Sequence, residues 1–116
     1  TGKKLGVPVY QLLGGAVRDR VKIYGHVGAQ VERDKFGKMP LKDELKIMSE
    51  NVQKQLSRGL KAIKFTPSDS LEHIDTPTEV KNIVKRVETV RELVGDDIDI
   101  AIDLHGRFSL AMARRS

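Results

Sequence analysis

The feature that most restricts this chain is a repeated change of hydrophobic period. Leu41, Leu45, Met48, Val52 and Leu56 recur at steps of three and four, which gathers them on one face of a helix. Val80, Ile83, Val84, Val87 and Val90 form a second such stripe, ended by Leu93 or Val94. Around these helices lie three shorter runs of another kind: "RVKIYGHVG" (20–28), "LKAIKF" (60–65) and "DIDIAIDL" (97–104). They are short apolar runs bounded by glycine and polar residues, and read as strands. The helix ends carry matching signals. Gly59 suits the left-handed residue that closes the first helix. Thr76, Pro77 and Glu79 supply a cap, a first-turn proline and a capping box for the second, and Gly95 closes it. Ser109 can cap a further helix beginning at Leu110.

Strand, helix, strand, helix, strand, helix is an order that parallel strands with helical crossovers satisfy, and such crossovers are almost always right-handed. Two α/β architectures remain, a doubly wound sheet and a (β/α)8 TIM barrel. A whole barrel takes about 250 residues. With 116 residues, three strands cannot close a barrel, and the chain is expected to stop mid-fold as a piece of a longer protein. The last helix runs into Ser116, and the first residue is not methionine.

Several function classes are disfavoured. The net charge is +5, which by itself invites an anionic partner. The basic residues are scattered among acids on helix faces, and only two tyrosines and three phenylalanines are present to stack on bases. That is the pattern of solvated helix surfaces, so no nucleic-acid partner is expected. No apolar run reaches the ~20 residues that span a bilayer, and "TGKKLGVPVY" lacks a signal-peptide core. A cytoplasmic protein without a membrane partner is the expectation. Without cysteine, neither disulfides nor thiolate metal sites are available.

In either α/β architecture, chemistry gathers at the C-terminal ends of the strands. The strands here end in "YGHVG", "KFTPSD" and "DLHGR". Asp103 and His105 are two residues apart and point to one side of an extended chain. By residue type alone, Asp103 fits a strand-end turn acid better than a metal ligand, and His105 an exposed loop histidine. Arg107 is open between binding a substrate oxygen and pairing with an acid. Tyr24 is as compatible with core packing as with a pocket wall. Gly14-Gly15 reads as a turn, because no phosphate-binding fingerprint surrounds it, and His73 reads as exposed.

The combination "LLGG…VRDRV", "KAIKF" and "DLHGR", in this order, resembles the enolase superfamily, mandelate racemase/muconate lactonizing enzyme family. "VETVRELVGDDIDIAIDLHGRFSLAMAR" is most similar to its sugar-acid dehydratases, the galactonate dehydratase subgroup above all. The resemblance implies a partial (β/α)8 TIM barrel: residues 1–18 end an N-terminal capping domain and linker, and 19–116 form the first, truncated part of the barrel domain, with its first three strands. It implies an essential Mg²⁺, with Asp103 as one of three carboxylate ligands, and the dehydration of a small-molecule sugar acid by β-elimination. It implies His105 as the catalytic acid for the departing hydroxyl, a task that suits imidazole. Lys64, Arg107, His26 and Tyr24 are then the expected substrate contacts. The second lysine of the racemases' Lys-x-Lys is replaced here by Thr66, so the base is expected from across the barrel, beyond Ser116. The full-length form is expected to be a homo-oligomer, and the isolated chain to be inactive and poorly soluble. The alternatives are another sugar-acid dehydratase (gluconate or mannonate), an acid-sugar racemase or cycloisomerase, and, from a different class, a non-catalytic α/β binding module.

Overall fold

The computed structural model describes residues 1–29, 39–68 and 71–116. The polar stretch "AQVERDKFGKM" (29–39), whose composition reads as a long loop, lies mostly outside the described residues. The regular elements are α1 (Gly2–Leu5), α2 (Val9–Leu12), β1 (Gly25–His26), α3 (Leu41–Ser57), β2 (Ala62–Phe65), α4 (Pro77–Val94), β3 (Asp99–Ile102) and α5 (Leu110–Arg115). The strands form one parallel sheet in the order β1-β2-β3. Gly25 registers with Ile63 and His26 with Lys64, while Ala62 to Phe65 register with Asp99 to Ile102.

Strand periodicity divides the sheet into two unlike faces. Ile63 and Phe65 of β2 are completely buried with Val27, Met48, Val52, Val90 and Ile98 in the main core. This is the face that α3 and α4 cover. Burying a side chain such as Phe65 stabilises the fold by roughly 1.5–3 kcal/mol. Lys64, between the two, takes the opposite face by simple alternation.

Local chemistry fixes the helices. The Thr76 hydroxyl accepts the Glu79 amide at 3.2 Å and Pro77 opens α4. Ser109 accepts the Met112 amide at 3.1 Å at the start of α5. Gly59 follows α3 with φ 78°, as its position after the apolar stripe requires. Two polar side chains of α3 hold the end of β1: Asn51 donates to the Gly28 carbonyl (3.2 Å) and Gln55 to the His26 carbonyl (3.3 Å). Gly25 permits that approach, because a Cβ there would stand 2.7 Å from the Gln55 side chain. Helices α3 and α4 are tied by a two-pronged ion pair. Arg86 donates to Glu44 through Nε (3.0 Å) and Nη2 (2.7 Å), and the Arg86 side chain is buried.

The strands are shorter than their apolar runs. β1 was expected over 20–28 but pairs only at Gly25 and His26, since β2 begins at Ala62 and offers no partner further back. Val21 and Ile23 consequently remain 72% and 63% exposed, and Tyr24 is exposed rather than in the core. β2 starts two residues later than the run Leu60–Phe65. The N-terminal stretch makes two single helical turns, α1 and α2, and then reverses at Gly14 and Gly15, whose φ values of 107° and 98° favour glycine. Its Leu13 and Val17 stay outside the core. No helix among the described residues is long and apolar enough to cross a membrane.

The Arg86–Glu44 pair generates a test. Arg86→Ala leaves a partly buried carboxylate unpaired and is expected to destabilise the fold by about 3 kcal/mol. The double replacement Glu44→Leu/Arg86→Met is expected to recover most of that loss, as read from urea denaturation midpoints.

Candidate active site

The site is assembled where β2 and β3 end on the face away from the helices. The Asp103 amide donates to the Phe65 carbonyl at 3.0 Å, which carries the ladder one bond past β3. That bond sets Asp103 beside Lys64, and the Lys64 Nζ donates to Asp103 Oδ2 at 2.7 Å. Both side chains are about one-quarter exposed, so the pair is partly shielded from solvent. The lysine also lies over the Tyr24 ring, 5.4 Å from its centroid, within the range of a cation–π contact.

Immediately after Asp103 the chain reverses. The Arg107 amide donates to the Leu104 carbonyl at 2.9 Å, closing a tight turn with His105 and Gly106 at its centre. Both have left-handed φ, 53° and 65°. For Gly106 this is free of strain, but for His105 it costs roughly 1–2 kcal/mol. The Asp103 carboxylate offsets part of that cost. Its Oδ1 accepts the His105 amide at 3.1 Å, and its Oδ2 lies 3.2 Å from His105 Nδ1. One carboxylate thus meets the ammonium, the turn backbone and the imidazole.

These contacts set the charge of the cluster. The hydrogen bond from Lys64, and next the one from His105, lower the Asp103 carboxyl to about 2 from an ordinary value of 3.8. The same hydrogen bond to Asp103 raises the Lys64 ammonium above its ordinary value. Near neutral pH the site therefore presents a fixed carboxylate beside a fixed cation.

Of the residues expected from the sequence, Lys64, Asp103 and His105 meet directly, and Tyr24 flanks them. His26 registers with Lys64 on the same face and is exposed at the end of β1. Arg107 does not join the cluster, since its Nη1 donates to the Ser68 carbonyl at 2.9 Å in the segment after β2. Sequence reasoning missed the Lys64–Asp103 contact and the left-handed His105. The first was detectable from period two, because Lys64 sits between two core residues. The second had the His-Gly pair as its signal.

The donor chemistry bears on a metal ion. Asp103 is a partly exposed, firmly ionised oxygen donor, and fits one position in the shell of a hard cation such as Mg²⁺. Among the described residues no three His, Cys, Asp or Glu side chains gather to complete such a shell.

Comparison with known proteins decides the family. The model for the enolase C-terminal domain-like family matches residues 47–116. The chain belongs to that family, within the enolase superfamily. It is 37% identical over 112 residues to the D-galactonate dehydratase of Verminephrobacter eiseniae (strain EF01-2), covering 97% of this chain and 26% of the relative. It is 36% identical over 113 residues to the D-galactonate dehydratase of Xanthomonas euvesicatoria pv. vesicatoria (strain 85-10), with the same coverage. The mandelate racemase/muconate lactonizing enzyme-like protein of Rubrobacter xylanophilus DSM 9941 superposes with a TM-score of 0.79 at 33% identity, over 98% of this chain and 32% of that one. The one from Roseovarius sp. TM1035 gives 0.77 at 28% identity, over 98% and 29%. The chain spans about a quarter of the length of the curated relatives it matches. Its three parallel strands correspond to part of an enolase-type TIM barrel.

The charge state of Asp103 can be measured. Its folded pKa is depressed, so its stabilising contribution is complete above 3.8 and is lost as pH falls through about 2. Carboxyl ¹³C titration by NMR is expected to place the Asp103 midpoint near 2. Lys64→Met is expected to move that midpoint up toward 3.8.

Proposed function

We propose that this chain forms the first three strands of the barrel of a Mg²⁺-dependent sugar-acid dehydratase acting on D-galactonate, with residues 1–18 as the end of a capping domain. The observation that carries this reading is the Lys64–Asp103–His105 cluster at the C-terminal ends of β2 and β3, where barrel enzymes hold their chemistry. Dehydratase names among the relatives support the reaction class.

The reaction is the β-elimination of water. A base from outside these residues takes the proton on the carbon next to the substrate carboxylate. The carbon–oxygen bond at the neighbouring carbon breaks, and its electron pair leaves with the oxygen. His105 supplies the proton that makes the leaving group water. Its Nδ1 faces Asp103, which fixes the ring and leaves Nε2 to deliver that proton. The enol that remains tautomerises to a 2-keto-3-deoxy acid. Lys64, held protonated by Asp103, faces the substrate carboxylate, with the Tyr24 ring and His26 on the same wall. Asp103 would be one ligand of the Mg²⁺, which supplies positive charge where the deprotonated substrate builds up negative charge. Thr66 has no group able to serve as the base at the end of β2, which favours a dehydratase over a lysine-based racemase.

In this reading the full-length protein is a cytoplasmic homo-oligomer whose partner is a small-molecule sugar acid, with no nucleic-acid or membrane partner. A full-length protein containing these residues is expected to convert D-galactonate to its 2-keto-3-deoxy product. Chelation with EDTA should abolish turnover, and added Mg²⁺ should restore it. The 116-residue chain alone should show none. Turnover that survives EDTA, or racemisation without loss of water, would contradict the reading.

A further inference from the structure

The turn that carries His105 is fastened at both ends to a single segment. At its entry, the Asp103 amide donates to the Phe65 carbonyl (3.0 Å). At its exit, the Arg107 guanidinium donates to the Ser68 carbonyl (2.9 Å). These carbonyls are three residues apart, and the segment between them is firmly seated: Phe65 and Pro67 are fully buried and Ser68 is nearly so. Between the two anchors, His105 holds a left-handed backbone that a histidine does not favour. A strained turn keeps one shape only if its surroundings over-determine it. The Asp103 side chain secures the first half, the Arg107 amide closes the turn on the Leu104 carbonyl (2.9 Å), and among the described residues the Arg107 guanidinium is the side chain that ties the second half to the segment after β2. The next contacts along the chain, Ser109 to the His73 carbonyl and Arg115 to the Asp75 carbonyl, fasten α5 to the loop before α4 and lie beyond the turn.

We propose that Arg107 is a positioning residue: its hydrogen bond to the Ser68 carbonyl locks the His105–Gly106 turn and so aims the imidazole. The geometric content stands on contacts within the chain. Its catalytic consequence rests on the reading of His105 as the acid. As a clamp, Arg107 acts on turnover through His105 and leaves substrate affinity to other side chains.

The test has two arms. In the full-length protein, selectively labelled at His105, Arg107 and Ser68, NMR should show a strong intraresidue amide–Hα NOE for His105, the mark of positive φ, and contacts from the Arg107 guanidinium protons to Ser68. Arg107→Met, which keeps length without a donor, should lose the His105 signature. Arg107→Lys, which keeps a donor of similar reach, should retain it. A His105 signature that survives in Arg107→Met overturns the proposal. So does the absence of Arg107–Ser68 contacts in the unsubstituted chain, a measurement that stands even if Arg107→Met fails to fold. In the full-length enzyme, Arg107→Met should lower kcat by about tenfold to a hundredfold with KM changed by no more than about twofold. A raised KM with kcat unchanged would make Arg107 a substrate contact and overturn the positioning role. A lost NMR signature with both constants unchanged would uphold the clamp and overturn the reading of His105.

Discussion

A lysine placed between two fully buried residues of a central strand has only one place to go, and its contact with Asp103 organises the end of the sheet on that side. Ile63 and Phe65 commit one face of β2 to the core, so Lys64 must emerge on the other. There it meets the acid that follows β3 at 2.7 Å. The contact joins neighbouring strands on the face the helices do not cover. It also fixes both charges, holding the carboxylate ionised and the ammonium protonated. In the proposed reading, the ammonium faces the substrate carboxylate and the Asp103 carboxylate takes one position on a divalent cation.

Asp103 then serves a second purpose. By accepting the His105 amide and facing its Nδ1, it makes a left-handed histidine tolerable and orients the ring. The strain is local and the support comes from residues already charged and placed, which is how functional sites commonly hold unfavourable backbone. The core on the far side of the sheet bears the cost. Met48, Val52, Ile63, Phe65 and Val90 are buried without a polar partner to satisfy, and the α3–α4 contact adds the paired Arg86 and Glu44.

Much of this architecture was legible in the sequence because it is written in periods. Steps of three and four located α3 and α4, and the Thr76, Gly59, Gly95 and Ser109 signals placed their ends and the start of α5. Strand limits were less legible because apolar content does not say where a partner ends. Val21 and Ile23 look like strand residues but face no neighbour in the sheet. Of the site, the strand ends and their spacing singled out Asp103 and His105, and the resemblance supplied their expected roles and that of Lys64. It could not show that Arg107 turns toward Ser68, since that depends on a turn geometry set by two residues of positive φ.

In the proposed reaction, His105 acts on the leaving group and takes no part in removing the first proton. The most direct measurement is solvent exchange of the substrate's α-proton in D₂O, catalysed by the full-length enzyme carrying His105→Asn. Deuterium is expected still to enter at that carbon while formation of the dehydrated product falls by about 10²–10⁴-fold, the usual worth of a general acid. Product formation at the unsubstituted rate, or loss of exchange together with loss of product in an enzyme that still binds its substrate, would contradict it.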